Sequence, residues 1–116
     1  MIYLASPYSD PDPHTRVQRY YSVMECVKNL VKQNIIVFSP ILHNHELASK
    51  CNLPKDAKYW QTHNENFMSI AEEIFVLASN GWKTSLGVQV EIKWALDNGK
   101  RLTIIGVKGI PAGEKV

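Results

Sequence analysis

Glu91 stands where a helix should be burying apolar side chains. Along Thr84-Ser85-Leu86-Gly87-Val88-Gln89-Val90-Glu91-Ile92-Lys93-Trp94-Ala95, a step of about 100° per residue puts Gln89, Lys93 and Asp97 on one wet face. Val88, Ile92 and Ala95 form an apolar stripe, and Glu91 projects beside it, nearly opposite the wet face. A carboxylate taken out of water is costly unless it is paired or used. The same helix opens with Ser85-x-Gly87. Unused backbone amides there, with a hydroxyl and a glycine that permits close approach, can hold an anion such as a phosphate. Two plainer readings stand beside these. Ser85 can be only an N-cap, and Glu91 only a glutamate that favours the helix dipole.

Other side chains invite chemistry more weakly. Arg16 and Arg19 lie one turn apart near the positively polarised start of a first helix, where an anion is welcome and where solvated arginines are also common. His43, His45 and Cys51 hint at zinc, but no fourth ligand follows at metal-like spacing, so no metal is expected. Trp82, in a glycine-containing loop, can stack on a base or pack against a sheet edge.

The elements that must position these groups alternate. Met1–Ala5, Ile35–Phe38, Ile74–Ala78 and Leu102–Gly106 are apolar β runs. Helical periodicity runs from His14 to about Gln33, with Asp12-Pro13 as its start, then from Asp56 to Glu73, and from Ser85 to Asn98 before Gly99. Ser39-Pro40 ends the second β run, and a loop with a short helical piece carries His43 and His45. Continuous apolar strands alternating with helices predict an α/β fold: a small doubly wound, flavodoxin-like or Rossmann-like parallel sheet of four to five strands with helices on both faces. Ligands of such sheets bind beyond the carboxyl ends of the strands, where strand order reverses. Ser6–Arg19, Ser39–His45 and Ser79–Glu91 are therefore the segments to read for function.

The 116 residues predict one domain, 1–116, with a poorly ordered tail over 107–116. A net charge of +2 without basic runs gives no footing for nucleic acid or a membrane surface, and no apolar run approaches the roughly 20 residues of a membrane span. The start lacks the pattern of a signal peptide, and two cysteines make no disulfide framework, which points to a reducing, cytoplasmic setting.

Neither GxxxxGK[ST] nor GxGxxG is present, and Ala5-Ser6 and Ala78-Ser79 lack the acids of a phosphate-receiver domain. A different set of pieces stands out: Ile2-Tyr3-Leu4-Ala5-Ser6-Pro7-Tyr8; Val37-Phe38-Ser39-Pro40-Ile41 with His43; Gly81-Trp82; and Ser85-x-Gly87-Val88-x-x-Glu91 with Ala95 and Gly99-Lys100. In these the chain resembles the nucleoside 2-deoxyribosyltransferase superfamily. The likeness is greatest to its small phage and bacterial members and to the related deoxynucleoside 5′-monophosphate N-glycosidases, from Tyr3 to about Lys100.

The resemblance implies that Glu91 is a nucleophile attacking the anomeric carbon, with the Tyr3 hydroxyl set against it; burial beside Val88 and Trp94 would sharpen its nucleophilicity while the helix N-terminus keeps it ionised. It implies that Ser85 and the Gly87 amide hold a 5′-phosphate, with Ser6, Ser9, Arg16 and Arg19 as further substrate-binding candidates. His43 would line a base pocket, Trp82 would cover it, and His45 would be a loop residue. Relatives carry an aspartate in the helix before the third strand. Here that place falls on Asn64, between His63 and Glu65. Asparagine cannot deliver a proton, so Glu65 or another group would take that role. The expected activity is hydrolysis of a (deoxy)nucleoside 5′-monophosphate to base and sugar phosphate, without a cofactor. Base exchange by a nucleoside 2-deoxyribosyltransferase and a non-catalytic nucleotide-binding module are the alternatives. The expected partner is a small nucleotide or nucleoside, with a homodimer or larger homo-oligomer by analogy. Tyr20 or Trp94 would suit its interface.

Overall fold

The computed structural model describes residues 1–54 and 57–113. Its elements alternate as β1 (Ile2–Ala5), α1 (Pro13–Lys32), β2 (Val37–Phe38), α2 (Pro40–Lys50), α3 (Ala57–Ile70), β3 (Glu73–Leu77), α4 (Leu86–Asp97) and β4 (Arg101–Ile105). The four strands pair in parallel in the order β2-β1-β3-β4, with Tyr3 beside both Phe38 and Ile74. Chain order reverses between β1 and β3, so the crevice beyond their carboxyl ends is the natural ligand site. This is the α/β doubly wound sheet that the sequence predicts.

β1 and the C-terminal ends of β3 and β4 are buried on both faces, which is why their apolar residues run continuously. Tyr3, Ala5, Ile74, Val76 and Ile104 point to one side and pack with Met68 of α3 and Val88, Ile92 and Ala95 of α4. Leu4, Leu77 and Ile105 point to the other, against Val23, Cys26 and Leu30 of α1, with Ile41 and Leu42 of α2 alongside. Local signals set the helix ends. Asp12 caps α1 by accepting from the His14 amide at 3.1 Å, with Pro13 at the first helical position. Beyond its other end Asn34 takes a left-handed φ of 62°. Lys100 Nζ donates to the carbonyls of Ser69 and Ala71 at 2.9 and 2.7 Å, holding the C-terminal end of α3 to the start of β4.

Several boundaries differ from the sequence expectation. β2 is only Val37–Phe38, since Ile36 turns out to solvent at 76% exposure while its carbonyl still accepts from the Ile2 amide. The expected loop with a short helical piece is the 11-residue helix α2. Ser39-Pro40 reads as a strand stop but acts as a helix start: Ser39 Oγ accepts from the Leu42 amide at 3.2 Å, and Pro40 occupies the first turn. α3 ends at Ile70 rather than Glu73, because Glu73 already pairs with Ile2 and Arg101 in the sheet. The expected start at Asp56 lies outside the described residues. Of the tail, whose end is expected to be poorly ordered, the described part folds back on β4 through Gly106–Ile110 and Ala112–Ile104 backbone hydrogen bonds, and residues 114–116, its end, lie outside the described residues. Among the described residues no helix is long and apolar enough to cross a membrane.

Candidate active site at the switch point of the sheet

Two elements meet at Glu91. α4 begins as its sequence dictates: Ser85 Oγ accepts from the Val88 amide at 3.3 Å, and the Ser85 carbonyl accepts from Gln89. The helix itself makes no use of the Leu86 and Gly87 amides at its open end. Farther along, Val88, Ile92 and Ala95 dock on the sheet and carry Glu91 inward with them, to 8% exposure. The Tyr3 hydroxyl, from a fully buried ring on β1, donates to Glu91 Oε2.

Burial pushes the Glu91 carboxyl up to about 8, while the Tyr3 hydrogen bond pulls it partly back. Tyr3 is itself raised well above its ordinary value by burial and by the neighbouring carboxylate, so it remains a donor. The expectation that the helix N-terminus keeps Glu91 ionised therefore fails. The dipole acts over the first turn, and Glu91 lies beyond it, where loss of water dominates.

A cavity of about 320 Å³ opens over this pair. The end of β1 contributes Ser6, Tyr8, Ser9 and Asp10, the β3–α4 connection Gly81, Thr84 and Ser85, and α4 Leu86, Gly87, Val90 and Glu91. α2 supplies Ile41, Asn44, His45 and Ala48, and α3 supplies Trp60, Gln61, Asn64 and Met68. That size lies within the range of small-molecule sites.

The polar groups of the cavity fall into two sets. Near the head of α4, the Arg19 guanidinium donates to the Ser9 carbonyl at 2.8 Å and lies 3.8 Å from an Asp10 carboxylate oxygen. Gly81 permits this placement: it holds a φ of +85°, and a Cβ there would stand 2.5 Å from Arg19 Nη2. Toward α2 and α3, the Tyr8 hydroxyl is hydrogen-bonded to His45 Nδ1, and the His45 ring stacks on Tyr20 with centroids 4.2 Å apart. Ser6 Oγ, Arg19 Nε and Asn64 Oδ1 are buried without a hydrogen-bond partner among the described residues. All three belong to residues lining the cavity. Buried polar groups are rarely left so, and His63 Nε2 and Ser79 Oγ, outside the cavity lining, are two more.

Residues 1–107 match a family described as a domain of unknown function, DUF1937. The chain belongs to that family. No curated protein matches it.

In this DUF1937 chain the cavity brings together Ser6, Ser9, Arg19, Asn64, Ser85, Gly87 and Glu91, with Tyr3 reaching it through Glu91. Other candidates fall elsewhere. His43 sits on the outer side of α2, where its ring faces Phe38 and His63 at 5.5 Å each, and it is exposed. The histidine that lines the cavity is His45. Trp82 covers nothing: it is 8% exposed and packs in the core beside Val88 and Ile92. Glu65 lies outside the cavity and accepts from Gln61 Nε2 at 3.1 Å. Arg16 is tied to the Pro11 and Asp10 carbonyls. Tyr20 and Trp94, read as exposed interface aromatics, are half-buried within the chain. Sequence reasoning missed Tyr8, Asp10, Asn44, Trp60 and Gln61 as lining residues. The α2 signal was present, since Ile41, Asn44, His45 and Ala48 share one helical face once Pro40 is taken as its first residue.

Proposed function

We propose that this chain hydrolyses the N-glycosidic bond of a nucleoside or deoxynucleoside 5′-monophosphate through a glycosyl ester on Glu91. The reading rests on the resemblance to the nucleoside 2-deoxyribosyltransferase superfamily. One observation carries it: a buried carboxyl, hydrogen-bonded by a buried tyrosine, faces a cavity that has an arginine and a helix N-terminus at one end.

The phosphate is held by the Leu86 and Gly87 amides, Ser85 and Arg19, which together supply positive potential and donors. That places the sugar over Glu91 and the base toward α2 and α3. The ionised carboxylate attacks the anomeric carbon. The C1′–O bond forms as the C1′–N bond breaks, and the bond pair leaves on the base. Desolvation assists this step: the buried anion is penalised, whereas the ester that replaces it carries no charge. Water then opens the ester and restores the carboxyl. With Glu91 near 8, only about a tenth of the free protein carries the attacking carboxylate at pH 7.

Incubation with a panel of nucleoside 5′-monophosphates tests the proposal. Free base should appear in the chromatogram, and an acid-quenched sample should show a sugar-phosphate adduct on the peptide containing Glu91. Transfer of the sugar to an added second base would make the protein a transferase acting through the same ester. No base from any member, together with a nucleotide-dependent rise in melting temperature, would make it a binding module and overturn the enzymatic reading.

A further inference from the structure

Attack by Glu91 leaves one demand unmet. The departing base carries away an electron pair, and it leaves far more readily when a proton arrives with the bond cleavage. Asn64 and Gln61 hydrogen-bond through carboxamides and have no acidic proton to give. The Arg19 guanidinium is engaged by the Ser9 carbonyl and the Asp10 carboxylate. Asp10 accepts the Asp12 amide at 2.9 Å and faces the Arg19 guanidinium, so its oxygens are engaged by donors already. Burial raises the Tyr8 phenol above its ordinary value and makes it a weaker acid still.

His45 remains among the cavity-lining side chains. Imidazole is the side chain that takes up and releases a proton near neutral pH. Its ring is fixed on two sides, by the Tyr8 hydroxyl at Nδ1 and by Tyr20, stacked at 4.2 Å with 28° between the planes. Both histidines of α2 sit near aromatic rings, but only His45 is on the face shared with Ile41, Asn44 and Ala48.

We propose that His45 is the general acid that protonates the departing base, an inference that rests on the Glu91 reading. In the first step the Glu91 carboxylate bonds to C1′, the C1′–N pair moves to the base nitrogen, and the imidazolium proton completes an N–H bond there. Neutral base, neutral imidazole and glycosyl ester result. In the second step imidazole takes a proton from the attacking water while the C1′–O(Glu91) bond breaks. Carboxylate and imidazolium return, and the sugar keeps the hydroxyl. Tyr8 is a positioning residue for the ring.

The experiment compares a base that needs a proton with one that leaves without it. The pair is guanosine and 7-methylguanosine 5′-monophosphate or, for an enzyme restricted to pyrimidines, the uridine and 5-fluorouridine nucleotides, ribo or 2′-deoxy as the wild type accepts. His45→Gln and His45→Asn should lower kcat on the unactivated member about 100-fold or more, yet only a few-fold on the activated one. Tyr8→Phe should show the same selectivity at smaller size, a measurement independent of whether the His45 variants fold. Glu91→Ala should abolish release from both. Equal losses on the two members, or no loss, overturn the His45 assignment while the Glu91→Ala result leaves the nucleophile standing. Absence of base release from every wild-type reaction sinks both together.

Discussion

On one side of the cavity Glu91 and Tyr3 are locked into the core, at 8% and 0% exposure, between a strand and the apolar stripe of α4. On the other, His45 and Asn64 reach inward from α2 and α3, partly exposed, and Asn64 keeps an unpartnered buried oxygen. The first wall is dry and its polar contact is satisfied within the chain. The second is wetter and incomplete. Burial sets the acidity of Glu91 on the first wall, while the second keeps a polar group without a partner among the described residues.

Glu91 is the sharpest way to break that contrast, because the dry wall should trade stability for reactivity. Glu91→Gln should lower base release by about four orders of magnitude or more. The same substitution should make the protein more stable in alkali. A carboxyl whose pKa is about 8 in the folded chain, against 4.5 as its model value, holds its proton in the native state while the unfolded chain loses it. Between those values the native state binds more protons, so stability falls as pH rises from about 4.5 to 8 and then levels off. Glu91→Gln removes this loss, a gain of roughly 4 kcal/mol near pH 8 that fades toward pH 5. Urea titrations at the two pH values read it. Equal stability of both proteins at pH 8 would mean that the carboxyl is not dry.

Tyr3→Phe should act on the same wall with a smaller effect. The hydroxyl pulls the Glu91 value down, so its removal moves the carboxyl further up. Turnover at pH 7 should drop roughly tenfold to a hundredfold, and the limb of the rate profile that belongs to Glu91 should move to higher pH. A uniform loss with an unmoved limb would show that the hydroxyl touches substrate instead of tuning the acid.

The dry wall was also the legible one. Continuous apolar runs announced the parallel strands, and the Ser85 cap with Asn98-Gly99 framed α4 so well that Glu91 could be placed inside its buried side. Its pKa could not be read there, since that depends on packing against Tyr3, which lies in the first strand and far away in sequence. The wet wall was obscured at Ser39-Pro40, a pair that both ends a strand and starts a helix. With α2 taken as loop, nothing distinguished His43 from His45. Trp82 shows the complementary limit: a large aromatic in a connecting segment has no periodicity to say whether it faces ligand or core, and here the core holds it.

Ser85 caps α4 and lines the cavity, and the proposed phosphate site would ask for the same hydroxyl. Ser85→Ala should cost about 1 kcal/mol of stability through the lost cap. It should also raise KM for nucleoside monophosphates by about tenfold, the worth of one good polar contact, with little change for the matching nucleosides. Equal effects on nucleotide and nucleoside would reduce Ser85 to its cap.

The smallest expected effect tests the limits of the wet wall. By sequence position Glu65 is the natural substitute for an acid missing at Asn64, one residue away. A single step along a helix is about a 100° turn, however, and Glu65 lies outside the cavity that Asn64 lines. Among the described residues its carboxylate meets the Gln61 amide, in an exposed contact typically worth a few tenths of a kcal/mol. Glu65→Gln should therefore change kcat by less than about twofold and leave its dependence on the leaving base untouched. A large loss confined to unactivated bases would move the proton donor from α2 to α3, and His45 would then be left with a structural role beside Tyr8 and Tyr20.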